Sequence, residues 1–141
     1  MKVKDIMTKD PACCMPDSKL PDVARLMADR DCGGIPVVED MRTMRPVGVV
    51  TDRDIIVRAV AQGKNPLVMT AREVMSSPAV TVTPDTKVDD ACRTLADKRL
   101  RRLPVVDEGG YCSGIISQAD VAKHAPEKLT AQVVQAVSEP I

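Results

Sequence analysis

The feature that most constrains this chain is that it is written twice. Asp5-Ile6-Met7 returns as Glu73-Val74-Met75, Pro16-Asp17 as Pro84-Asp85, and Ile35-Pro36-Val37-Val38 as Leu103-Pro104-Val105-Val106, each 68 positions on. The stretch GVVTDRD, Gly48 to Asp54, returns as GIISQAD, Gly114 to Asp120, 66 positions on. The second repeat is therefore two residues shorter just before that stretch, where a loop absorbs the change. A fixed internal period means one supersecondary unit used again. A unit of roughly 60 residues buries only a thin core alone, so the two repeats are expected to pack face to face as one folding unit.

The repeat carries helical phase as well as letters. Leu20, Val23, Ala24 and Met27 stand at i, i+3, i+4 and i+7, and Val88, Ala91, Cys92 and Leu95 hold the same places, so two helices are expected to bury the same apolar face, with Cys92 a small core side chain. Ser18 and Thr86 follow Pro-Asp and are expected to cap those helices, with Asp89 completing an approximate capping box. Each repeat then reads as a short β run (12–15; 79–82), the striped helix, a strand (35–38; 103–106), a further strand (46–50; 111–116) and a second helix (52–61; 118–125). The expected fold class is α+β: two β-α-β-β-α repeats forming an intramolecular pseudo-dimer. The divisions are 1–62, a linker at 63–70 marked by Gly63, Asn65 and Pro66, 71–125, and a C-terminal helical tail at 126–141.

Composition closes off several functions. The 20 basic and 20 acidic side chains cancel and are interspersed, which argues against a nucleic-acid or membrane partner. Tyr111 is the single aromatic residue, so no base can stack on an aromatic platform. Five cysteines, an odd number without a C-x-x-C arrangement, suit neither a disulfide framework nor zinc and read as reduced cytoplasmic thiols. No apolar run reaches the ~20 residues of a membrane span, and the start, MKVKDIMTKD, lacks the apolar core of a signal peptide. No G-x-x-x-x-G-K-S/T and no G-x-G-x-x-G after a strand is present. His124, the only histidine, sits at a helix end, where it reads as a dipole partner instead of a catalytic base or metal ligand. The expectation is no enzyme, no metal and no catalytic cofactor.

Three marks occur in order, twice: DIMT and EVMS at the head, CGGIPVVED and RRLPVVDE along the middle strand, GVVTDRD and GIISQAD at the last strand-to-helix junction. In these the chain resembles a tandem pair of CBS domains, the modules named after cystathionine β-synthase, over nearly its whole length. The resemblance implies a disc-like Bateman module that binds an adenine nucleotide or related adenosyl compound (AMP, ATP, NAD or S-adenosylmethionine) in two clefts between paired sheets, as a regulatory ligand. It also implies a homodimer, and an output passed to an unidentified protein target.

By that resemblance Thr51 and Asp54 form the ribose-phosphate grip of one cleft, to which Gly34 and Ile35 also belong, and Ser117 and Asp120 form the grip of the other. The residue types suit the task. A hydroxyl at a helix start can face a phosphate, and an aspartate's two oxygens can accept from both hydroxyls of a ribose. The glycine before each pair would let the backbone approach a flat base. Met7 and Met75 would line the clefts. T-x-x-D and S-x-x-D are equally good helix caps, and a ligand-free dimerisation module would use them only so. Arg101 and Arg102 stand where relatives carry a phosphate-reaching basic pair, whereas the first repeat has Gly33 and Gly34, which sets the two clefts apart. DKRLRR also reads as a solvated helix end, and Arg53 as a phosphate contact or a surface residue. In the tail, Leu129, Val133 and Val137 make an apolar stripe that either folds back on the chain or packs on a second copy.

Overall fold

The computed structural model describes residues 1–139; Pro140 and Ile141, the end of the 126–141 tail, lie outside the described residues. In chain order the elements are α1 (Val3–Ile6), β1 (Thr8–Lys9), α2 (Leu20–Arg30), β2 (Gly34–Val38), β3 (Pro46–Thr51), α3 (Asp52–Arg58), α4 (Ala71–Val74), α5 (Val88–Lys98), β4 (Arg102–Val106), β5 (Cys112–Ser117), α6 (Gln118–His124) and α7 (Glu127–Ser138). Short 3-10 turns at Val60–Gln62 and Pro66–Val68 finish the helix after Thr51 and structure the linker. The expected early β runs shrink to single bridges, Cys14 to Val37 and Val82 to Val105, both parallel.

Packing divides the chain elsewhere than the sequence period does. One compact unit is Pro11–Val80; the other joins Met1–Asp10 to Thr81–Ile141. Each repeat's head therefore belongs to the other repeat's sheet. In the first of these units β2 pairs antiparallel with β3, with Gly34 opposite Thr51, and Ser76 bridges Val49 on the far side of β3. In the second, β4 pairs with β5, with Arg102 opposite Ser117, and β1 pairs with β5 through Thr8 opposite Ile115. The same letters thus build the same ladder twice, each completed by the exchanged head.

The heads are tied down by charge and caps. Thr70 N donates to Glu73 Oε1 at 3.2 Å at the start of α4, and Arg72 pairs with Asp17. At the other head Lys4 and Lys2 reach Asp85 at 3.2 and 3.4 Å and hold its carboxyl below the usual range, Lys4 contributing most. Arg58 Nη1 donates to the carbonyls of Val74 and Met75, both at 2.9 Å, stitching α3 to the end of α4.

Two expectations about the long helices are corrected. Ser18 and Thr86 do not cap α2 and α5, whose N-caps are Lys19 and Lys87 without a side-chain bond. Instead Ser18 Oγ accepts from Met15 N at 2.9 Å and Thr86 Oγ1 from Thr83 N at 3.1 Å. The hydroxyl closes the turn before the helix, and Asp89 forms no capping box with it. Nor do both helices bury the full stripe: Val88, Ala91, Cys92 and Leu95 are all buried, but Ala24 is exposed while Leu20, Val23 and Met27 are buried. The difference is α7, which folds back on α5 and α6, buries Val133 and Val137, and donates from Thr130 Oγ1 to the Val121 carbonyl at 3.2 Å. Among the described residues no helix is long and apolar enough to cross a membrane.

Candidate functional site

Both strand-to-helix junctions close in one way. β3 stays extended through Thr51, so the first amides of α3 need acceptors. Asp54 N donates to Thr51 Oγ1 at 3.1 Å, and Thr51 N donates to Asp54 Oδ2 at 2.9 Å. In the second repeat Asp120 N donates to Ser117 Oγ at 3.2 Å and Ser117 N to Asp120 Oδ2 at 2.9 Å, and the Ser117 hydroxyl adds a bond to Oδ2 at 3.0 Å. These are reciprocal capping boxes. One oxygen of each aspartate is committed to the cap, and the other is not. Asp120 Oδ1 accepts from Thr8 Oγ1 at 3.4 Å, whereas Asp54 Oδ1 lies 4.0 Å from Arg58 Nη2, with 15% of the side chain exposed.

The neighbouring strands bring further expected residues to these junctions. Asp52 N donates to the Gly33 carbonyl at 3.0 Å and Gln118 N to the Arg101 carbonyl at 2.9 Å, so Gly33–Gly34 and Arg101–Arg102 occupy one position in the two repeats. Arg101 and Arg53 are exposed and Arg102 is half-buried. Gly34 is buried, and Ile35, 1% exposed, has its side chain in the core with Val37 and Val50.

The glycine that precedes each hydroxyl in both repeats has a packing cause. A Cβ on Gly48 would lie 2.7 Å from the Ser76 carbonyl oxygen and 3.0 Å from Met75 Sδ; one on Gly114 would lie 2.6 Å from Met7 Sδ and 3.0 Å from the Thr8 oxygen. The exchanged heads press on these glycines, so Met7 and Met75 pack against Gly114 and Gly48. The close approach expected of a base at these glycines is made by protein.

One residue at the second junction went unremarked in the sequence. Gln118 Oε1 is buried without a hydrogen-bond partner, directly after Ser117. A buried acceptor without a donor is costly. The first repeat carries Asp52 there, whose carboxylate accepts from Arg53 N at 2.8 Å. The only sequence signal was that mismatch between repeats.

A family model described as CBS domain matches residues 3–60 and again 71–127. The chain belongs to the CBS domain family. Among CBS relatives, the CBS domain-containing protein YhcV of Bacillus subtilis is 38% identical over 85% of this chain and 82% of its own length. An uncharacterized protein of Methanopyrus kandleri, MK0525, is 32% identical over 89% of this chain, which spans 63% of that protein. Among solved structures, the CBS domain pair of protein MJ0100, in complex with 5′-methylthioadenosine and S-adenosyl-L-methionine, superposes with a TM-score of 0.77 at 27% identity, covering 87% of this chain and 94% of that one.

Proposed function

We propose that this CBS pair is a non-enzymatic regulatory module. It binds an adenosine-containing ligand, of the AMP, ATP, NAD or S-adenosylmethionine class, at the Thr51–Asp54 and Ser117–Asp120 junctions, and passes the change to a protein target from a cytoplasmic homodimer. The observation that carries this reading is the repeated carboxylate: in both repeats Oδ2 is held by the cap, while Oδ1 takes no part in it and meets Arg58 Nη2 at 4.0 Å in one repeat and Thr8 Oγ1 at 3.4 Å in the other, so ribose hydroxyls would replace only these long contacts on a carboxylate already fixed in place. The bound adenosyl compounds in the MJ0100 pair support the ligand class. Arg101 and Arg102 in one repeat against Gly33 and Gly34 in the other favour a phosphate-bearing ligand at the second junction. The ligand acts on packing only through its different affinities for two arrangements.

A ligand-free dimerisation module is the second reading, favoured by the completed capping boxes and by glycines whose need is met by packing. Thermal unfolding with AMP, ATP, NAD and S-adenosylmethionine separates the two. A ligand at 100 times its Kd stabilises by about 2.7 kcal/mol, a rise of roughly 10 °C for a chain of this size. A midpoint flat for all four compounds leaves the second reading standing.

A further inference from the structure

In both units the second oxygen of the junction aspartate meets something tied to the exchanged head, and the two units make that tie differently. Around Asp120 the head supplies its own side chain: Oδ1 accepts from Thr8 Oγ1 at 3.4 Å. Thr8 returns as Ser76, 68 positions on. In the Pro11–Val80 unit, however, the contact to the aspartate comes from Arg58, one turn beyond Asp54 on α3. Its Nη2 lies 4.0 Å from Asp54 Oδ1, while Nη1 donates at 2.9 Å to the carbonyls of both Val74 and Met75. Those carbonyls end α4, where no further turn of helix supplies donors. The next residue, Ser76, is bonded to Val49 of β3, N to O and O to N, each at 3.0 Å. One guanidinium therefore spans from the junction carboxylate to the segment that completes the edge of β3. The corresponding place on α6 holds His124, an exposed side chain at the helix end, so the arginine bridge belongs to the first repeat alone.

We infer that Arg58 is the positioning residue through which a ligand at the Thr51–Asp54 junction loosens the exchanged head at Val74–Ser76, a step that rests on the ligand-binding reading of that junction. Ribose hydroxyls and the guanidinium compete for one atom. Asp54 Oδ2 is held by Thr51 N at 2.9 Å, so an incoming donor must bind Oδ1, and two hydroxyls there fill both of its lone pairs. Arg58 is displaced. Its side chain, 46% exposed, then loses the anion that orients it, and the two head carbonyls share a donor that is free to turn to water. The effect is reciprocal: whatever the ligand takes from the Arg58 contact, that contact takes from the ligand. The head is thus held best when the junction is empty. An ion pair of this length and exposure weighs a factor of about two to five. A ligand at Asp120 meets Thr8 instead, so the two junctions act on their heads by separate routes.

Hydrogen exchange and titration calorimetry on the full chain test this, with AMP, ATP, NAD and S-adenosylmethionine in turn. In wild type, a compound that binds should speed exchange of the Ser76 and Val49 amides about two- to fivefold, against the slowing that binding brings to the rest of the fold. In Arg58→Met the same amides should exchange faster without ligand and no longer respond to it, and the compound should bind the first junction about two- to fivefold more tightly. Arg58→Lys keeps a cation within reach of Asp54 and should hold affinity at the wild-type level. Asp54→Ala identifies the binding event that belongs to this junction. If that event is present and Ser76 exchange in wild type ignores it, the inference is overturned while the ligand-binding reading stands. The same holds if Arg58→Met speeds exchange but leaves affinity unchanged, since Arg58 is then only a brace. An Asp54→Ala protein that loses no binding event for any of the four compounds overturns the reading and the inference together.

Discussion

Replacing Gly48 by alanine should destabilise the protein more than the same change at Gly114, for a reason set by what each new methyl meets. At Gly48 the nearest obstacle is backbone: a Cβ would lie 2.7 Å from the Ser76 oxygen, about 0.6 Å inside ordinary contact. Ser76 is bonded on both sides to Val49, N to O and O to N, each at 3.0 Å. Moving it by that amount stretches both bonds past useful length, and at about 1 kcal/mol each the loss is about 2 kcal/mol. At Gly114 the closest atom, at 2.6 Å, is Met7 Sδ, near the end of a flexible side chain. The Thr8 oxygen at 3.0 Å needs only a small shift, so about 1 kcal/mol is expected. Neither glycine has a positive φ, and the smaller entropy of the alanine-bearing unfolded chain returns a few tenths of a kcal/mol in both cases. At roughly 4 °C per kcal/mol, the midpoint should fall by about 8 °C for Gly48→Ala and about 4 °C for Gly114→Ala. Met7→Ala should rescue Gly114→Ala in a double-mutant cycle, with a coupling of about 1 kcal/mol; Met75→Ala should rescue Gly48→Ala far less. Equal losses with equal rescue, or an unchanged midpoint for Gly48→Ala, would refute the reasoning that the exchanged heads dictate these glycines.

Asp120→Ala and Asp54→Ala each break a capping box and should cost about 1 kcal/mol in urea unfolding; under the ligand-binding reading each also removes one binding event in calorimetry. Replacing Arg101 and Arg102 by alanine should weaken ATP binding more than adenosine binding, measured by titration calorimetry, and equal losses would remove their phosphate role. Burial pushes the Cys14 thiol up to about 11 from the ordinary 9.0. The folded state then holds the proton more tightly, so this contribution is intact below pH 9 and fades as pH rises from 9 to about 11. Denaturant unfolding across that window should show a shallower fall for Cys14→Ala than for wild type. Exposed Cys32 should react with a thiol reagent in the native state, and buried Cys14 and Cys92 only on unfolding.

Much of this fold was legible because repetition doubles every signal. The stripes of α2 and α5, the paired PVV strands and the hydroxyl-acid junctions each appear twice in phase, and local chemistry decides them. What was not legible depends on distance along the chain. Nothing in DIMT or EVMS says which sheet each head will join, since both sheets present the same β-branched ladder, and the pairing of Thr8 with Ile115 spans most of the sequence. The packing role of Gly48 and Gly114 is hidden in the sequence because the atoms pressing on them come from those distant heads. Ser18 and Thr86 sit one residue too early to cap, a displacement within the usual uncertainty of helix starts. Ala24 and Cys92 share a sequence position but not a burial, because only one of them lies under α7.

The crossing of the heads also sets an order on how the chain can be completed. Residues 1–10 are synthesised first; their helix meets the stretch from Pro84 to Val88 only some eighty residues later, and their strand must wait through more than a hundred, until Ile115 emerges, to find its place. The Pro11–Val80 unit closes much sooner, once Ser76 has been made. Cutting the chain between the sequence repeats would therefore not release two modules. It would leave each with a head that fits the other's sheet, and the fragments should regain their folds only when mixed.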